Sequence, residues 1–270
     1  MIKRVRDLMR PSLITCPPTM PLGDAAAMLA RHRIHALIVA DPAGMAQGVL
    51  SDFDLLAGEW LAGGGLARDA AGPPAKASTR LTVGDLMRTP VPSVNADTAA
   101  AEAAGRMLAE RIHRLVVTDL DRPIGVISVS DLIGGLAPER NQHGGVEHAM
   151  SRGLVVCRET TPVGAAARAM REQHSRSLVV VNQHGRPLGV VTGFDLLPFY
   201  GDADAGEPVS SIMHAPITVH PAASLREAAD IMLQHHVHRL VVVDPAEPDS
   251  MPLGLIATSD IVMEMVGGKS

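Results

Sequence analysis

The seven residues GVISVSD at 125–131 decide the fold, because the chain writes the same phrase three more times: GVLSDFD at 48–54, GVVTGFD at 189–195 and GLIATSD at 254–260. Each copy opens on glycine, continues through aliphatic residues and closes on aspartate. That pattern reads as a short buried strand running into the next element. Three copies carry a hydroxyl three residues before the aspartate, at Ser51, Ser128 and Thr192. The fourth has Ala257 there, and its Thr258 lies one place out of register.

Two further phrases recur in the same order. An opening phrase reads VRDLM, VGDLM, VEHAM and VSSIM, ending at Met9, Met87, Met150 and Met213. A middle phrase reads IHALIV, IHRLVV, SRSLVV and VHRLVV, beginning at residues 34, 112, 175 and 237. Ordered recurrence of this kind marks a repeat architecture. Between the first two phrases lies an Ala-rich segment, such as AAAEAAGRMLAERI or LREAADIMLQHH, built of good helix formers. Ser224 and Glu227 have capping-box spacing, and Pro21 and Pro162 suit a first helical turn. Two β-branched runs follow with a turn between them, and an apolar segment after each aspartate reads as a second helix. The predicted unit is β-α-β-β-α, an α/β (α+β) arrangement of roughly 55–60 residues, too small to bury enough surface alone. The units should therefore pair.

The linkers indicate the pairing. The Gly-, Ala- and Pro-rich residues 61–82 lengthen the first gap, and PERNQHGG at 138–145 separates the halves. The expected modules are 1–137, holding units at about 5–60 and 83–137, and 146–270, holding units at about 146–200 and 209–266.

Composition narrows the function. Hydrophobic residues make up 46% of the 270, so a sizeable core can form, but aromatic residues are only 2%. Base-stacking nucleic-acid binders want aromatic platforms. A net charge of −5 without a basic run argues further against nucleic acid or an anionic membrane as target. No apolar span reaches transmembrane length, and the N-terminal MIKRVRDLMR lacks the apolar core of a signal peptide. Two distant cysteines, Cys16 and Cys157, fit a reducing cytoplasm. No nucleophile, acid/base pair, P-loop or Gly-rich dinucleotide motif appears, so no enzyme and no catalytic cofactor are expected. The histidines, densest at His235, His236 and His238, lack the convergent partners that zinc requires, so no metal site is expected.

The four opening DLM-like phrases, the helices, the strand pairs and the closing Gly-x-x-Ser/Thr-x-x-Asp resemble the cystathionine-β-synthase (CBS) domain family over nearly the whole chain. The plan of four motifs in two tandem pairs is similar to that of the gamma subunits of AMP-activated protein kinase. The resemblance implies a regulatory module without catalysis, here with no sequence left over for an attached enzyme. It implies adenosyl ligands (AMP, ADP or ATP, with or without Mg²⁺) in clefts between paired motifs, a regulated protein partner and pairing of modules into a homodimer or disc. S-adenosylmethionine is the alternative ligand, and a structural scaffold with vestigial clefts the alternative role.

The resemblance assigns candidate roles residue by residue. Asp54, Asp131, Asp195 and Asp260 are candidate ribose ligands, since an ionised carboxylate accepts strong hydrogen bonds from a diol. Ser51, Ser128 and Thr192 are candidate phosphate or ribose ligands beside a helix N-terminus. The same spacing also suits a helix cap. In the middle phrase, His113-Arg114 and His238-Arg239 are candidate phosphate contacts, as are His35 of the first copy and Arg176 of the third, where the pair is broken by Ala36 and Ser177. Arginine offers a fork suited to phosphate, while histidine adds charge only when protonated. The fourth cleft, lacking the hydroxyl, is expected to be weak or empty, because a one-residue shift turns Thr258 to the other face.

Overall fold

A computed structural model describes residues 3–61, 81–120, 122–135, 145–199, 206–247 and 250–267. Most of both expected linkers, 61–82 and 138–145, lies outside these residues. The first unit comprises α1 (Val5–Leu8), β1 (Thr15–Cys16), α2 (Leu22–His32), β2 (Ala36–Ala40), β3 (Ala46–Ser51) and α3 (Asp52–Leu61). The second has α4 (Val83–Leu86), β4 (Ser93–Asn95), α5 (Ala100–Ala109), β5 (Arg114–Asp119), β6 (Arg122–Ser128) and α6 (Val129–Gly135). The third has α7 (Val146–Ala149), β7 (Val156–Arg158), α8 (Val163–Glu172), β8 (Ser177–Val181) and β9 (Pro187–Thr192). The fourth has β10 (Thr218–Val219), α9 (Leu225–His235), β11 (Arg239–Val242), β12 (Gly254–Ala257) and α10 (Thr258–Gly267).

Each unit folds into one three-stranded sheet in sequence order, the first pair parallel and the second antiparallel. The parallel pair requires a crossover, which the long helix supplies. All four crossover helices bury residues at the same spacing: Leu22, Ala25, Ala26, Leu29; Ala100, Ala103, Ala104, Met107; Val163, Ala166, Ala167, Met170; Leu225, Ala228, Ala229, Met232. This is one apolar stripe of a 3.6-residue period, with paired alanines letting the helix lie close to its sheet. Pro21 and Pro162 sit at the N-cap, one residue before the first turn. The Ser224 hydroxyl accepts from the Glu227 N–H at 3.1 Å.

Two differences from the expected unit have local causes. The third unit closes on turns and a 3-10 segment, Leu197–Phe199, rather than a helix. Pro198 lacks an N–H and disfavours the α conformation at Leu197. The fourth unit opens on a 3-10 turn, Val209–Ser211, preceded by Pro208.

The sheets of units one and two pack through Ile38, Val49 and Val116, and those of units three and four through Val179, Val181 and Val241. The opening phrase of each unit crosses to its partner's closing strand. Arg10 bridges Val126, Arg88 bridges Val49, Ser151 bridges Leu255 and His214 bridges Val190. The phrase glycines make this possible. A Cβ on Gly48 would come within 3 Å of Met87, on Gly189 within 3 Å of Met213, and on Gly125 and Gly254 within 3 Å of the carbonyls of Arg10 and Ser151. The recurring glycine and methionine are thus two halves of one lock between paired units, and that accounts for the glycine without a ligand.

The pairs then join through helices. Unit two meets unit four in one continuous core that includes Met107, Leu132, Met232 and Ile261. Unit one meets unit three where Leu197 enters the first unit's core and Leu56 enters the third's. The helix faces are therefore matched within the single chain.

Candidate functional site

The closing phrase builds the same local geometry four times. The aspartate's Oδ2 turns back and accepts the backbone N–H three residues earlier: Ser51 to Asp54 at 2.8 Å, Ser128 to Asp131 at 2.8 Å, Thr192 to Asp195 at 2.7 Å and Ala257 to Asp260 at 2.8 Å. The hydroxyls of Ser51, Ser128 and Thr192 donate to that same oxygen at 2.6, 2.5 and 2.8 Å. In this state each hydroxyl commits its proton to the aspartate. Ser51 Oγ also accepts the Asp54 N–H at 3.2 Å and Ser128 Oγ the Asp131 N–H at 3.4 Å, the capping role that the spacing also allowed. In the fourth copy only the backbone bond is made. Thr258 is buried, lines the central cavity and is not bonded to Asp260. Burial raises the Asp260 carboxyl, partly offset by the Ala257 N–H and the Arg239 charge.

The other carboxylate oxygen distinguishes the copies. Asp131 Oδ1 receives Arg10 Nε at 2.9 Å, and Asp195 Oδ1 lies 2.8 Å from His214 Nε2. Arg10 and His214 occupy the same place in their units, directly after the opening methionine. Among the described residues, no cation forms an ion pair with Asp54 or Asp260.

The middle phrases converge. His35, His113, Arg176 and His238, one from each unit, face a central cavity of about 270 Å³, together with Arg114 and Arg239. Arg114, Arg176 and Arg239 are half-buried residues that line this cavity. Burial lowers Arg114 and Arg176, and pushes Arg239 down to about 10. Burial, reinforced by the neighbouring arginines, pushes His113 down to about 3. His238 goes down to about 4, through burial and the charges of His35, Arg239 and Arg114. Both imidazoles are therefore neutral at pH 7 in this state, so neither adds to the positive charge of the arginines.

The residue before three of the four aspartates reaches across to the opposite module. Phe53 lies under Arg176, with the guanidinium 5.3 Å from the ring centroid. Phe194 approaches His35 at 5.1 Å between centroids, and Ser130 Oγ lies 2.8 Å from His238 Nδ1. Facing units thus hold each other's middle-phrase side chains in place, the Phe53 ring acting on Arg176 as a cation–π partner. Asp52, also missed by the repeat phrases, is 7% exposed and lies 2.9 Å from His35 Nδ1. Burial would raise its carboxyl, but the His35 hydrogen bond and charge, with Arg176 and Arg114, hold it below the ordinary aspartate value.

Of the sequence candidates, His35, His113, Arg114, Arg176, His238, Arg239, Ser128 and Thr192 border the central cavity. Ser51 and Asp54 instead line a narrow cleft of about 40 Å³ between units one and two, which shares His35, His113, Arg114 and Arg176 with the centre. Asp131, Asp195 and Asp260 border neither opening. Unit three adds Arg176 to the arginines that units two and four bring to the cavity.

The fold and site define a four-unit tandem repeat whose paired units converge arginines on a shared centre. The chain belongs to the CBS domain family: its model matches residues 5–59, 83–137, 146–202 and 209–267. A solved structure from Methanocaldococcus jannaschii, described as an archaeal homologue of the gamma subunit of AMP-activated protein kinase, superposes with a TM-score of 0.80 at 20% identity, covering 96% of this chain and 99% of that one. A conserved protein from Pyrococcus horikoshii gives 0.63 at 23% identity, covering 98% and 100%. In sequence, another Methanocaldococcus jannaschii protein is 26% identical over 259 residues, 88% of this chain and 57% of that one. The human 5'-AMP-activated protein kinase subunit gamma-3 is 26% identical over 204 residues, 66% of this chain and 40% of that one. The chain thus spans about half the length of these curated relatives. No helix among the described residues is long and apolar enough to cross a membrane.

Proposed function

We propose that the chain is a non-catalytic regulatory module that binds an adenine nucleotide between units one and two and passes its occupancy to a protein partner. The observation carrying this reading is that the Asp54 cleft and the central cavity share Arg114 and Arg176 as walls. One end offers the Asp54 carboxylate, which forms no ion pair among the described residues although Arg88 lines the same cleft, and a carboxylate suits a ribose diol. The other offers two guanidinium forks, suited to phosphate. The gamma-3 relative, named as a subunit of an AMP-activated kinase, supports the adenosyl choice.

The cleft's 40 Å³ holds little more than water. A small-molecule site needs about 300 Å³ or more. Ligand entry therefore requires units one and two to move apart. Phe53 rides on Arg176 of unit three, so the movement reaches the other module. A ligand that binds only the widened state shifts the population toward it, and a partner can read that shift.

Thermal unfolding and calorimetry against AMP, ADP, ATP, S-adenosylmethionine and guanosine nucleotides, with and without Mg²⁺, test the reading. A saturable shift with an adenine nucleotide is expected, worth about 2.7 kcal/mol at a hundred times the dissociation constant. No shift from protein shown to be free of nucleotide would return the chain to a scaffold role. A shift with S-adenosylmethionine alone would move the ligand to one without phosphate, whose binding would not need the phosphate forks of Arg114 and Arg239.

A further inference from the structure

The four phrases place four residues at one equivalent position: Asp52, Val129, Gly193 and Thr258. Each backbone N–H donates to the carbonyl of the middle-phrase residue of its own unit, at 3.1 Å to His35, 3.0 Å to His113, 3.3 Å to Arg176 and 3.0 Å to His238. All four line the central cavity. Only the first unit puts a carboxylate there, and among the described residues no other carboxylate lines the cavity.

Asp52 is fixed in place. Its Oδ2 is held by His35 at 2.9 Å and its Oδ1 accepts the Phe53 N–H at 2.9 Å. Across the module boundary it faces Gly193, where a Cβ would come within 4.0 Å of the carboxyl. Its charge acts on Arg114, Arg176 and Arg239 alike. None of the three arginines has an ion pair of its own among the described residues.

We infer that Asp52 is a resident counter-anion that sets the ligand's charge: it stands in for phosphate when the cavity is empty and selects against the more highly charged nucleotide when it fills. The inference rests on the adenosyl reading and names what that site prefers. Two consequences follow from Coulomb's law. In the empty state, one negative charge among three close guanidiniums offsets part of their mutual repulsion. In the filled state, every further negative charge on the phosphate chain is repelled by the same carboxylate. The penalty therefore grows with phosphate count, and the discrimination it causes is between nucleotides rather than against all of them.

Asp52→Asn keeps the shape and an acceptor for His35 while removing the charge. Calorimetric titration of wild type and variant with AMP, ATP and inorganic pyrophosphate, at low and high salt, reads the effect. The variant is expected to bind ATP and pyrophosphate more tightly, with the ATP-to-AMP affinity ratio raised about tenfold at low salt and less at high salt. Without ligand it is expected to melt below wild type, and pyrophosphate is expected to restore it. An unchanged or lowered ratio in a folded variant would overturn the inference. So would a ligand-free variant as stable as wild type. If Asp52→Asn does not fold, Asp52→Ser carries the same comparison. If wild type binds no adenine nucleotide but the variant gains pyrophosphate affinity, the adenosyl reading fails and the role of Asp52 stands. If nucleotides bind both proteins with the same ratio, the role of Asp52 fails and the adenosyl reading stands.

Discussion

Arg10 Nε lies 2.9 Å from Asp131 Oδ1, a surface cation closed over a carboxylate from the neighbouring unit. The arginine side chain is 74% exposed and the aspartate 9%. His214 closes over Asp195 in the same manner from the equivalent position in the other module. An exposed partner contributes about 1 kcal/mol or less to stability. These contacts are easily broken, yet each occupies the oxygen that a ribose would use. The Asp54 cleft should therefore fill first. Asp54→Ala is expected to weaken the first binding event at least about tenfold, while Asp131→Ala leaves it within about twofold. Arg10→Ala is expected to add a binding site at Asp131, read as a higher stoichiometry by calorimetry. Equal losses in Asp54→Ala and Asp131→Ala would remove the distinction between open and covered clefts.

The interlock between paired units makes a second prediction. Gly125 has no room for a methyl group, because the Arg10 carbonyl of the partner unit crosses at that point. Backbone cannot move aside as a flexible side chain can. Gly125→Ala is expected to destabilise the protein by roughly 1–3 kcal/mol in a denaturant titration. Gly23, in the first turn of α2, meets nothing within 4 Å. Gly23→Ala is the matched control and is expected to stabilise by about 0.5–1 kcal/mol through helix propensity.

This interlock also separates what the sequence displays from what it hides. Repetition made the units, the crossover helices and the strand pairs legible, since a stripe such as Ala100, Ala103, Ala104 and Met107 is a one-dimensional pattern. The glycine of the closing phrase was visible too, but its reason was not: it answers a methionine and a carbonyl from another unit. The site was half legible for the same cause. Arg114, Arg176 and Arg239 stand in a recurring phrase, whereas Arg10, His214, Phe53 and Phe194 gain meaning only once the modules face one another. Asp52 did carry a signal, as the one carboxylate at its position among four aligned copies. Repeat reading overlooks such a residue because it looks for what recurs.

The thiols supply a third prediction. Cys16 is buried in β1 and burial pushes its thiol up to about 11. Cys157 is half-buried in β7; burial raises it as well, with Thr161 working against the rise. Thiolate is the reactive form. In native protein at pH 8, a thiol reagent is expected to modify Cys157 first and Cys16 only at the rate of unfolding. Cys157→Ser should abolish the faster phase. A faster phase that survives this substitution would contradict the burial order.

The histidines of the cavity predict how stability and binding respond to acid. His113 is held at about 3 and His238 at about 4, against an ordinary value near 6.5. Between those limits the unfolded chain carries protons that the folded chain refuses. Stability therefore rises with pH across that window, and the contribution is lost as pH falls from about 6.5 toward 4. His113→Gln and His238→Gln are each expected to flatten the pH dependence of the melting temperature over that range. Phosphate in the cavity reverses the balance around both rings, since a nearby anion favours imidazolium. Nucleotide binding should then take up protons, and affinity should increase as pH falls from 7.5 to 6. Calorimetry in buffers of different ionisation enthalpy measures that uptake directly. Binding that releases no proton and takes up none, in protein whose melting temperature still falls with acid, would place the phosphates away from His113 and His238.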